Sequence, residues 1–249
     1  MARNSRKEKT IAYLVYPGVS ALELVGTFAI GQSFKMSRAA RYMVTTVAER
    51  AEPITTDTPL GMIPATTFAE LPNPWMLFVM GGGLSTLFAL GNQALLDYVR
   101  QAAKTAELIA GISTGALILA AAGLLEGRPA STHWAYGQIL ERLGARFVRS
   151  RWIEDGKVIT TAGGTGGIDM GIELVAKKAG KKLAKMMQLM AEYDPEPLFG
   201  NLDWDSIDLG ALAPILADKR SELKQALANQ PEIFAAIEGW MLEAASERN

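Results

Sequence analysis

The residues best placed to do chemistry lie in one glycine-flanked turn, residues 111–116 (GISTGA). The preceding residues 107–110 are predicted to end a short buried strand, and residues 116–122 favour a helix. We therefore expect Ser113 at a sharp strand-to-helix bend, with its side chain exposed at the carboxyl end of a sheet and above a helix N-terminus. Such a residue can attack or bind an electrophile. The alternative is a glycine-rich turn whose serine only caps the helix.

Glu23 is a second candidate because of the elements predicted around it. Residues 10–16 are a continuous apolar run of strand length, which is typical of a central parallel strand buried on both faces. A Pro-Gly pair ends the run, and Ser20 is predicted to cap a helix that continues to about residue 34. Glu23 then lies just past the carboxyl end of a strand, where open α/β sheets keep their sites. The helix dipole would stabilise the same carboxylate in a purely structural role.

Three glycines and one histidine complete the set. Gly81, Gly82 and Gly83 follow a predicted buried strand at residues 75–80. Such a loop can cradle a phosphate or aim a backbone N–H at a developing oxyanion. Glycine also serves simply to turn the chain, so this signal is weak by itself. His133 is the only histidine, and a lone histidine beside a tryptophan is more often a hydrogen-bonded packing residue than a catalyst.

The elements that position these residues alternate between strand and helix, which predicts right-handed crossovers in a mostly parallel sheet. Strands are predicted at residues 10–16, 42–47, 75–80 and 107–110, and helices at 20–34, 92–103 and 116–122. Residues 52–70 are rich in proline and are predicted to form turns and short extended pieces, including a hairpin outside the main sheet.

The second half of the chain is predicted to begin with a helix ending near Leu143. Short strands are then predicted at residues 146–149, 152–155 and 157–161, the last pair joined by a tight turn. A glycine-rich stretch opens a long helix, and Asp169 is expected to hold its first turn. The further predicted helices run through 178, from 181 to 193, from 221 to 228 and from 232 to 245.

Composition excludes several classes of function. The 249 residues, 49% hydrophobic and 20% charged, suffice for one α/β domain with an appendage. A net charge of -1 offers no basic footprint for nucleic acid or an acidic membrane surface. No apolar run reaches the roughly 18 residues of a membrane span, and the polar start lacks the apolar core of a signal peptide, so a cytoplasmic location is expected. The absence of cysteine and the single histidine exclude disulfides, thiolate metal sites and a His-rich metal site.

In combination, these segments resemble the DJ-1/PfpI superfamily and, within it, the isonitrile hydratase-like branch. The resemblance extends over about residues 10–200. Each motif is weak alone, but their order along the chain is specific. The matching segments are 16–26 (YPGVSALELVG), 81–83 (GGG), 112–116 (ISTGA), 121–128 (AAGLLEGR), 132–134 (THW), 160–163 (TTAG), 167–169 (GID), 188–189 (QL) and 192–197 (EYDPEP).

The resemblance implies a flavodoxin-like α/β fold, similar to class I glutamine amidotransferases, with a mostly parallel central sheet in a three-layer sandwich. It also implies a small-molecule substrate, no metal or organic cofactor, and a homodimer whose sites lie near the interface. Nucleic acid and membrane partners are not expected. On this basis residues 1–200 are predicted to form the α/β domain, and residues 201–249 a C-terminal helical extension packed on that domain or on the dimer partner.

The resemblance also implies a cysteine at the bend, where this sequence has Ser113. For isonitrile hydratases, the resemblance implies that a thiolate attacks the terminal carbon of R–N≡C and that an acid supplies a proton. Water then converts the thioimidate to an N-substituted formamide. That acid is commonly Asp in this branch and is Glu23 here. A thiol at a helix N-terminus ionises near neutrality, whereas a serine hydroxyl needs a positioned base within about 3 Å. Three explanations stay open: an engineered Cys-to-Ser variant, a homologue with lost or changed chemistry, and a working serine enzyme.

The resemblance implies a role for each candidate. Ser113 occupies the nucleophile position, and Glu23 is its hydrogen-bonding acid. The N–H groups of Thr114 and Gly82 are expected to stabilise an anion, and the Thr114 hydroxyl to orient substrate or water. The residues expected to contact the substrate are Gly81, Gly83 and His133.

Other interpretations remain. Residues 111–115 fit the G-x-S-x-G pattern of serine hydrolases, but an α/β-hydrolase needs its acid and then its histidine on a later loop, and His133 lies just past the predicted elbow helix. A binding module that keeps the pocket without turnover is another class. Superfamily members fused to AraC-type DNA-binding domains exist, but the predicted C-terminal helices are too short and too acidic to supply one. Glyoxalase-type and protease-type activities of other branches are further alternatives.

Overall fold

A seven-stranded sheet forms the centre of the computed structural model, which describes residues 8–206 and 212–246. The strands are β1 (Glu8–Leu14), β2 (Arg41–Ala48), β3 (Ile54–Thr55), β4 (Gly61–Met62), β5 (Thr66–Thr67), β6 (Met76–Val79), β7 (Leu108–Gly111), β8 (Pro129–Ala130), β9 (Arg146–Phe147), β10 (Trp152–Asp155) and β11 (Val158–Thr161). The large sheet has the order β10-β11-β7-β6-β1-β2-β5, and β3-β4 and β8-β9 form two small pairs outside it. Neighbours in the large sheet are parallel except β10 and β11, which form an antiparallel hairpin.

Helices cover both faces of this sheet. They are α1 (Ala21–Gln32), α2 (Leu84–Ala89), α3 (Gln93–Thr105), α4 (Gly115–Ala121), α5 (Gly137–Arg142), α6 (Gly164–Ala179), α7 (Lys181–Met190), α8 (Ala213–Asp218), α9 (Arg220–Ala226) and α10 (Pro231–Ser246). One hydrophobic cluster joins the sheet to α2–α5 and α8–α10, and a second joins it to α1, α6 and α7. Within the described ranges no helix is long and apolar enough to cross a membrane.

Strand β1 shows why the sheet lies at the centre. Its side chains alternate between the two clusters, with Ala12 and Leu14 in the first and Ile11 and Tyr13 in the second. All four are buried, and a strand buried on both faces requires the continuous apolar run that the sequence contains. The predicted flavodoxin-like three-layer α/β sandwich with a mostly parallel sheet is confirmed.

The start of α1 differs from its prediction. Ser20 occupies the N-cap position, but its side chain makes no capping hydrogen bond. Instead, the Asp57 carboxylate accepts a hydrogen bond from the Ala21 N–H at 2.8 Å. Asp57 lies between β3 and β4, the small hairpin predicted for the irregular stretch. A contact from a distant loop therefore replaces the expected local cap.

The prediction for Asp169 is wrong in its position and in its role. Helix α6 begins at Gly164, so Asp169 lies in the second turn and does not hold the first. Its carboxylate forms an ion pair with Arg151 and accepts a hydrogen bond from the Tyr193 hydroxyl at 2.6 Å. Asp169 thus ties α6 to the segment before β10 and to the segment after α7.

The C-terminal helices α8–α10 pack on the α/β body. Leu216, Leu223 and Trp240 from these helices are buried in the same cluster as the sheet residues. The Trp240 indole N–H donates to the Gln138 side chain of α5. The division into residues 1–200 and 201–249 stays a prediction, and residues 207–211 and 247–249 lie outside the described residues.

Candidate active site at the strand-to-helix elbow

The elbow, residues 111–116, joins β7 to α4, and its glycines are required by close packing. A Cβ on Gly115 would lie 2.1 Å from the Val79 carbonyl oxygen, and one on Gly111 would lie 2.9 Å from the backbone of Ala116. Contacts this short would force the backbone apart. Only glycine therefore fits at these positions of the turn.

Ser113 itself has the backbone conformation of a strained elbow. Its φ is 54°, in the left-handed region that L-residues other than glycine rarely adopt. Its N–H donates to the Thr161 hydroxyl at 3.2 Å, and its carbonyl accepts from the Thr132 hydroxyl at 2.9 Å. The residue is 2% exposed, which corrects the expectation of an exposed side chain at the bend. Two threonines outside the elbow thus hold its backbone in place.

Glu23 reaches the elbow from the first turn of α1. Its Oε2 accepts a hydrogen bond from the Gly81 N–H at 3.1 Å. Burial raises the pKa of the Glu23 carboxyl to about 7, although hydrogen bonds from the Ser113 hydroxyl and the Gly81 N–H lower it and the nearby Asp57 charge raises it. A carboxyl with this pKa is close to half protonated at neutral pH, so it can act as an acid and as a base.

The glycine loop after β6 is held by two buried threonines. The Gly82 N–H donates to the Thr86 hydroxyl at 2.9 Å and to the Thr114 hydroxyl at 3.1 Å, and the Gly83 N–H donates to Thr114 at 3.1 Å. The two hydroxyls lie 2.7 Å apart and hydrogen-bond to each other. The Thr114 hydroxyl therefore fixes the loop, which differs from its expected role of orienting substrate or water.

This arrangement also changes the expected anion site. The Gly82 N–H already has two acceptors inside the protein, so a ligand would have to displace them. The Gly81 N–H is bonded to Glu23. The Thr114 N–H lies at the N-terminus of α4 and has no acceptor among the described residues. Of the two expected N–H groups, only that of Thr114 lacks an acceptor among the described residues.

A cavity of about 800 Å³ borders the elbow. Its wall is drawn from the segments 131–134, 147–151, 162–165 and 197–204. Thr132 is part of this wall and bonds to the Ser113 carbonyl. Ser113 and Glu23 do not themselves form the wall, so the cavity adjoins the elbow without exposing its hydroxyl.

His133 lies in the wall of this cavity. Its Nδ1 accepts a hydrogen bond from the Ala135 N–H at 3.3 Å, which assigns the proton of the neutral ring to Nε2. Burial lowers the pKa of the imidazole, so the ring is neutral at pH 7. Its centroid lies 5.5 Å from that of Trp134 and 5.9 Å from that of Tyr136. His133 thus lies in the cavity wall and makes no hydrogen bond to Ser113, and its expected contact with substrate stays a prediction.

Sequence reasoning assigned no role to three residues that support the site. Thr86 was missed because the short helix α2 was not predicted. Thr132 and Thr161 follow or end strands, and a hydroxyl at the carboxyl end of a strand was the signal that could have identified them. Within residues 8–206 and 212–246 no cluster of three or more His, Asp or Glu side chains could hold a metal ion.

Comparisons with known proteins agree with this architecture. The DJ-1/PfpI family model matches residues 9–177. The isonitrile hydratase of Pseudomonas putida is 36% identical over 190 residues, which cover 76% of this chain and 80% of that protein. The HTH-type transcriptional regulator CdhR of Pseudomonas aeruginosa is 39% identical over 111 residues, which cover 44% of this chain and 32% of the regulator.

A solved structure extends the match to nearly the whole chain. The crystal structure of a THiJ/PfpI family protein from Pseudomonas syringae superposes with a TM-score of 0.73 and 30% identity, over 96% of this chain and 93% of that one. Sequence and structure thus agree on one family. On this evidence, the chain belongs to the DJ-1/PfpI family.

Proposed function

We propose that the elbow is the nucleophile site of an isonitrile hydration, in which R–N≡C gains water and becomes an N-substituted formamide. The observation that carries this proposal is the buried Glu23 carboxyl at the elbow. Its Oε2 accepts a hydrogen bond from the Gly81 N–H, and burial raises its pKa to about 7 although the neighbouring Ser113 hydroxyl lowers it. The 36% identity to an isonitrile hydratase over 76% of the chain supports the same chemistry.

Glu23 can serve both proton transfers of this reaction. In the first half, Glu23 takes the proton of the nucleophile at position 113, the nucleophile bonds to the terminal carbon, and the proton passes to that carbon to give an imidate. In the second half, water adds to the same carbon, the nitrogen gains a proton, and the nucleophile leaves with its own proton restored. The free N–H of Thr114 supports the negative charge that develops when water adds.

Ser113 limits this chemistry. The raised pKa of Glu23 makes the carboxylate a stronger base than an ordinary one. A serine hydroxyl nevertheless holds its proton far more tightly than a thiol, whose pKa is about 8.5 and falls at a helix N-terminus. We therefore expect slow or absent turnover with Ser113 and much faster turnover with a cysteine in its place.

We further propose that the chain forms a homodimer through the outer face of α1. Leu22 and Val25 flank Glu23 on this helix and are 69% and 63% exposed. Ile63, just after β4, is 65% exposed. Exposed apolar side chains of this size favour a protein contact. Light scattering after size-exclusion chromatography tests the proposal: Val25→Glu is expected to give monomers, and a monomeric parent chain would contradict it.

A ligand-binding protein without turnover is the second candidate. It is favoured by the burial of Ser113, which is 2% exposed and does not form the cavity wall. The same chain would then bind a small molecule beside an elbow that no longer reacts. This alternative makes a different prediction for the cysteine variant.

The test compares the present chain with Ser113→Cys on cyclohexyl isocyanide, with the formamide measured by chromatography. The proposal expects formamide from the cysteine form. Adding Glu23→Gln to that form should lower kcat/KM by about 10²-fold or more. Glu52→Gln, a change of an exposed acid outside the elbow, should leave it unchanged. Formamide from neither form would overturn the proposal in favour of binding, and parallel assays with methylglyoxal would reveal a glyoxalase-type activity instead.

A further inference from the structure

The cavity beside the elbow has a one-sided charge. Among the described residues that line it, only Arg149 and Arg151 are charged, and none is acidic. His133 in the same wall is neutral at pH 7, because burial lowers its pKa. A ligand in this cavity therefore meets the positive charge and hydrogen-bond donors of the described wall.

The two arginines differ in how their charge is compensated. Arg151 is paired with Asp169, whose second oxygen accepts from the Tyr193 hydroxyl. Arg149 lies over the Trp204 ring, 5.6 Å from its centroid, and no carboxylate of a described side chain is within ion-pair distance of it. Stacking on the ring face leaves the edge of a guanidinium free, and this edge matches a carboxylate in a two-point hydrogen bond.

The remaining wall includes three large aromatic side chains. Trp134, Phe147 and Trp204 line the cavity together with the small polar residues Ser150 and Asn201. Flat apolar walls favour a ring, whereas one guanidinium favours an anionic substituent on that ring. The volume of about 800 Å³ lies in the range of small-molecule sites.

We infer that the cavity selects isonitriles whose ring carries a carboxylate, and the corresponding formamide products, with Arg149 as the residue that binds the carboxylate. The isonitrile group in this inference rests on the proposed function. The preference for a carboxylate rests only on the residues of the cavity wall. Thr132 connects the two regions, because it lines the cavity and bonds to the Ser113 carbonyl. A ring held by the aromatic wall thus has its carboxylate at Arg149 and its reactive end toward the elbow.

Calorimetric binding to the present chain tests the selection without turnover. The probes are 4-formamidobenzoate, a product of the inferred class, and 4-formamidobenzamide, a neutral molecule of nearly the same shape. We expect the benzoate to bind about tenfold more tightly, because it gains one charge-assisted hydrogen bond. This preference should weaken at high salt, which screens the charges. Equal affinities for the two probes, or binding of neither, would overturn the inference.

Variants identify the arginine responsible. Arg149→Gln should remove the preference for the benzoate and leave the benzamide affinity unchanged. Arg146→Gln is the matched control, because Arg146 is exposed on β9 nearby and does not line the cavity. A preference that survives Arg149→Gln, or that Arg146→Gln removes equally, would overturn the role of Arg149.

Kinetics of the cysteine form separate this inference from the proposed function. With Ser113→Cys, the inference expects Arg149→Gln to raise KM for 4-isocyanobenzoate about tenfold and to leave KM for cyclohexyl isocyanide unchanged. Hydration of both isonitriles with equal KM would support the function and overturn the selection. Benzoate binding that depends on Arg149 with no hydration by the cysteine form would support the selection and overturn the hydration.

Discussion

The Gly81 N–H donates a hydrogen bond to Glu23 Oε2 at 3.1 Å, and this contact joins two elements that are far apart in the sequence. Gly81 follows β6, and Glu23 lies in α1 after β1. Because β1 and β6 are parallel neighbours, their carboxyl ends meet at one edge of the sheet. The carboxyl is thereby held out of solvent and next to the elbow serine.

The pH dependence of stability follows from the Glu23 pKa. In the folded chain this pKa is about 7, whereas its unperturbed value is 4.5. The folded state therefore holds the proton between these values while the unfolded state has lost it, and the free energy of unfolding falls as pH rises from 4.5 toward 7. Glu23→Gln should remove this dependence, a difference of up to about 3 kcal/mol in denaturant melts.

A site-specific titration provides the matching check. The carboxyl carbon of Glu23, followed by NMR, should titrate near neutrality. An ordinary glutamate value for Glu23, or a pH dependence of stability that is unchanged in Glu23→Gln, would contradict the role given to burial.

Gly81→Ala should distort the site and destabilise the fold. The new Cβ would lie 2.5 Å from Glu23 Oε2, 2.8 Å from Thr114 Oγ1 and 2.9 Å from the Ile112 carbonyl oxygen. Overpacking of this kind costs about 1–3 kcal/mol, measured as a lower denaturation midpoint. Gly163→Ala is the control, because a Cβ there meets nothing within 4 Å and its backbone is extended, and it should change stability by less than about 0.5 kcal/mol.

Thr114→Val should loosen the glycine loop. The substitution keeps the shape of the side chain but removes the hydroxyl that accepts from the Gly82 and Gly83 N–H groups. We expect a loss of about 2 kcal/mol, because at least one buried N–H then lacks an acceptor. Thr114→Ser keeps the hydroxyl and should retain most of the stability. Equal losses in the two variants would mean that the methyl group, and not the hydrogen bonds, holds the loop.

Asp57 should affect both the stability of α1 and the pKa of Glu23. Asp57→Ala removes the capping bond to the Ala21 N–H and should cost about 1 kcal/mol. It also removes a negative charge that raises the Glu23 pKa, so that pKa should fall. Asp57→Asn separates the effects, since its amide oxygen can still cap while its charge is gone. Ser20→Ala should cost less than about 0.5 kcal/mol, because the Ser20 side chain makes no capping bond.

Much of the fold could be predicted from local patterns. Strand β1 overlaps the apolar run at residues 10–16 but is shifted to Glu8–Leu14, whereas the glycines around Ser113 and the hairpin at residues 152–161 lie where their patterns indicated. These patterns are readable because burial on both faces, tight turns and strand pairing each restrict the local residue types. Helix α2 was missed because it has only six residues, Leu84–Ala89, which is too short for a periodic signal.

The sequence named residues that lie together in the fold, but not the hydrogen bonds that they make; their roles in a site stay predictions. Ser113, Glu23 and the glycine loop were named from the sequence, but the hydroxyl of Thr114 was expected to face a ligand. In the structure it accepts from Gly82 and Gly83 instead. Backbone N–H groups take the nearest buried acceptor, and which acceptor is nearest depends on how separate elements pack.

The sequence by itself determined the α/β architecture, the sharp bend at Ser113 and the absence of cysteine from that bend. Tertiary structure alone decided the pKa of Glu23, the cap supplied by Asp57 and the charge of the cavity around Arg149. The physical reason is the range of the interactions. Strand and turn preferences act between residues close in the chain, whereas desolvation and ion pairing depend on groups that only folding brings together.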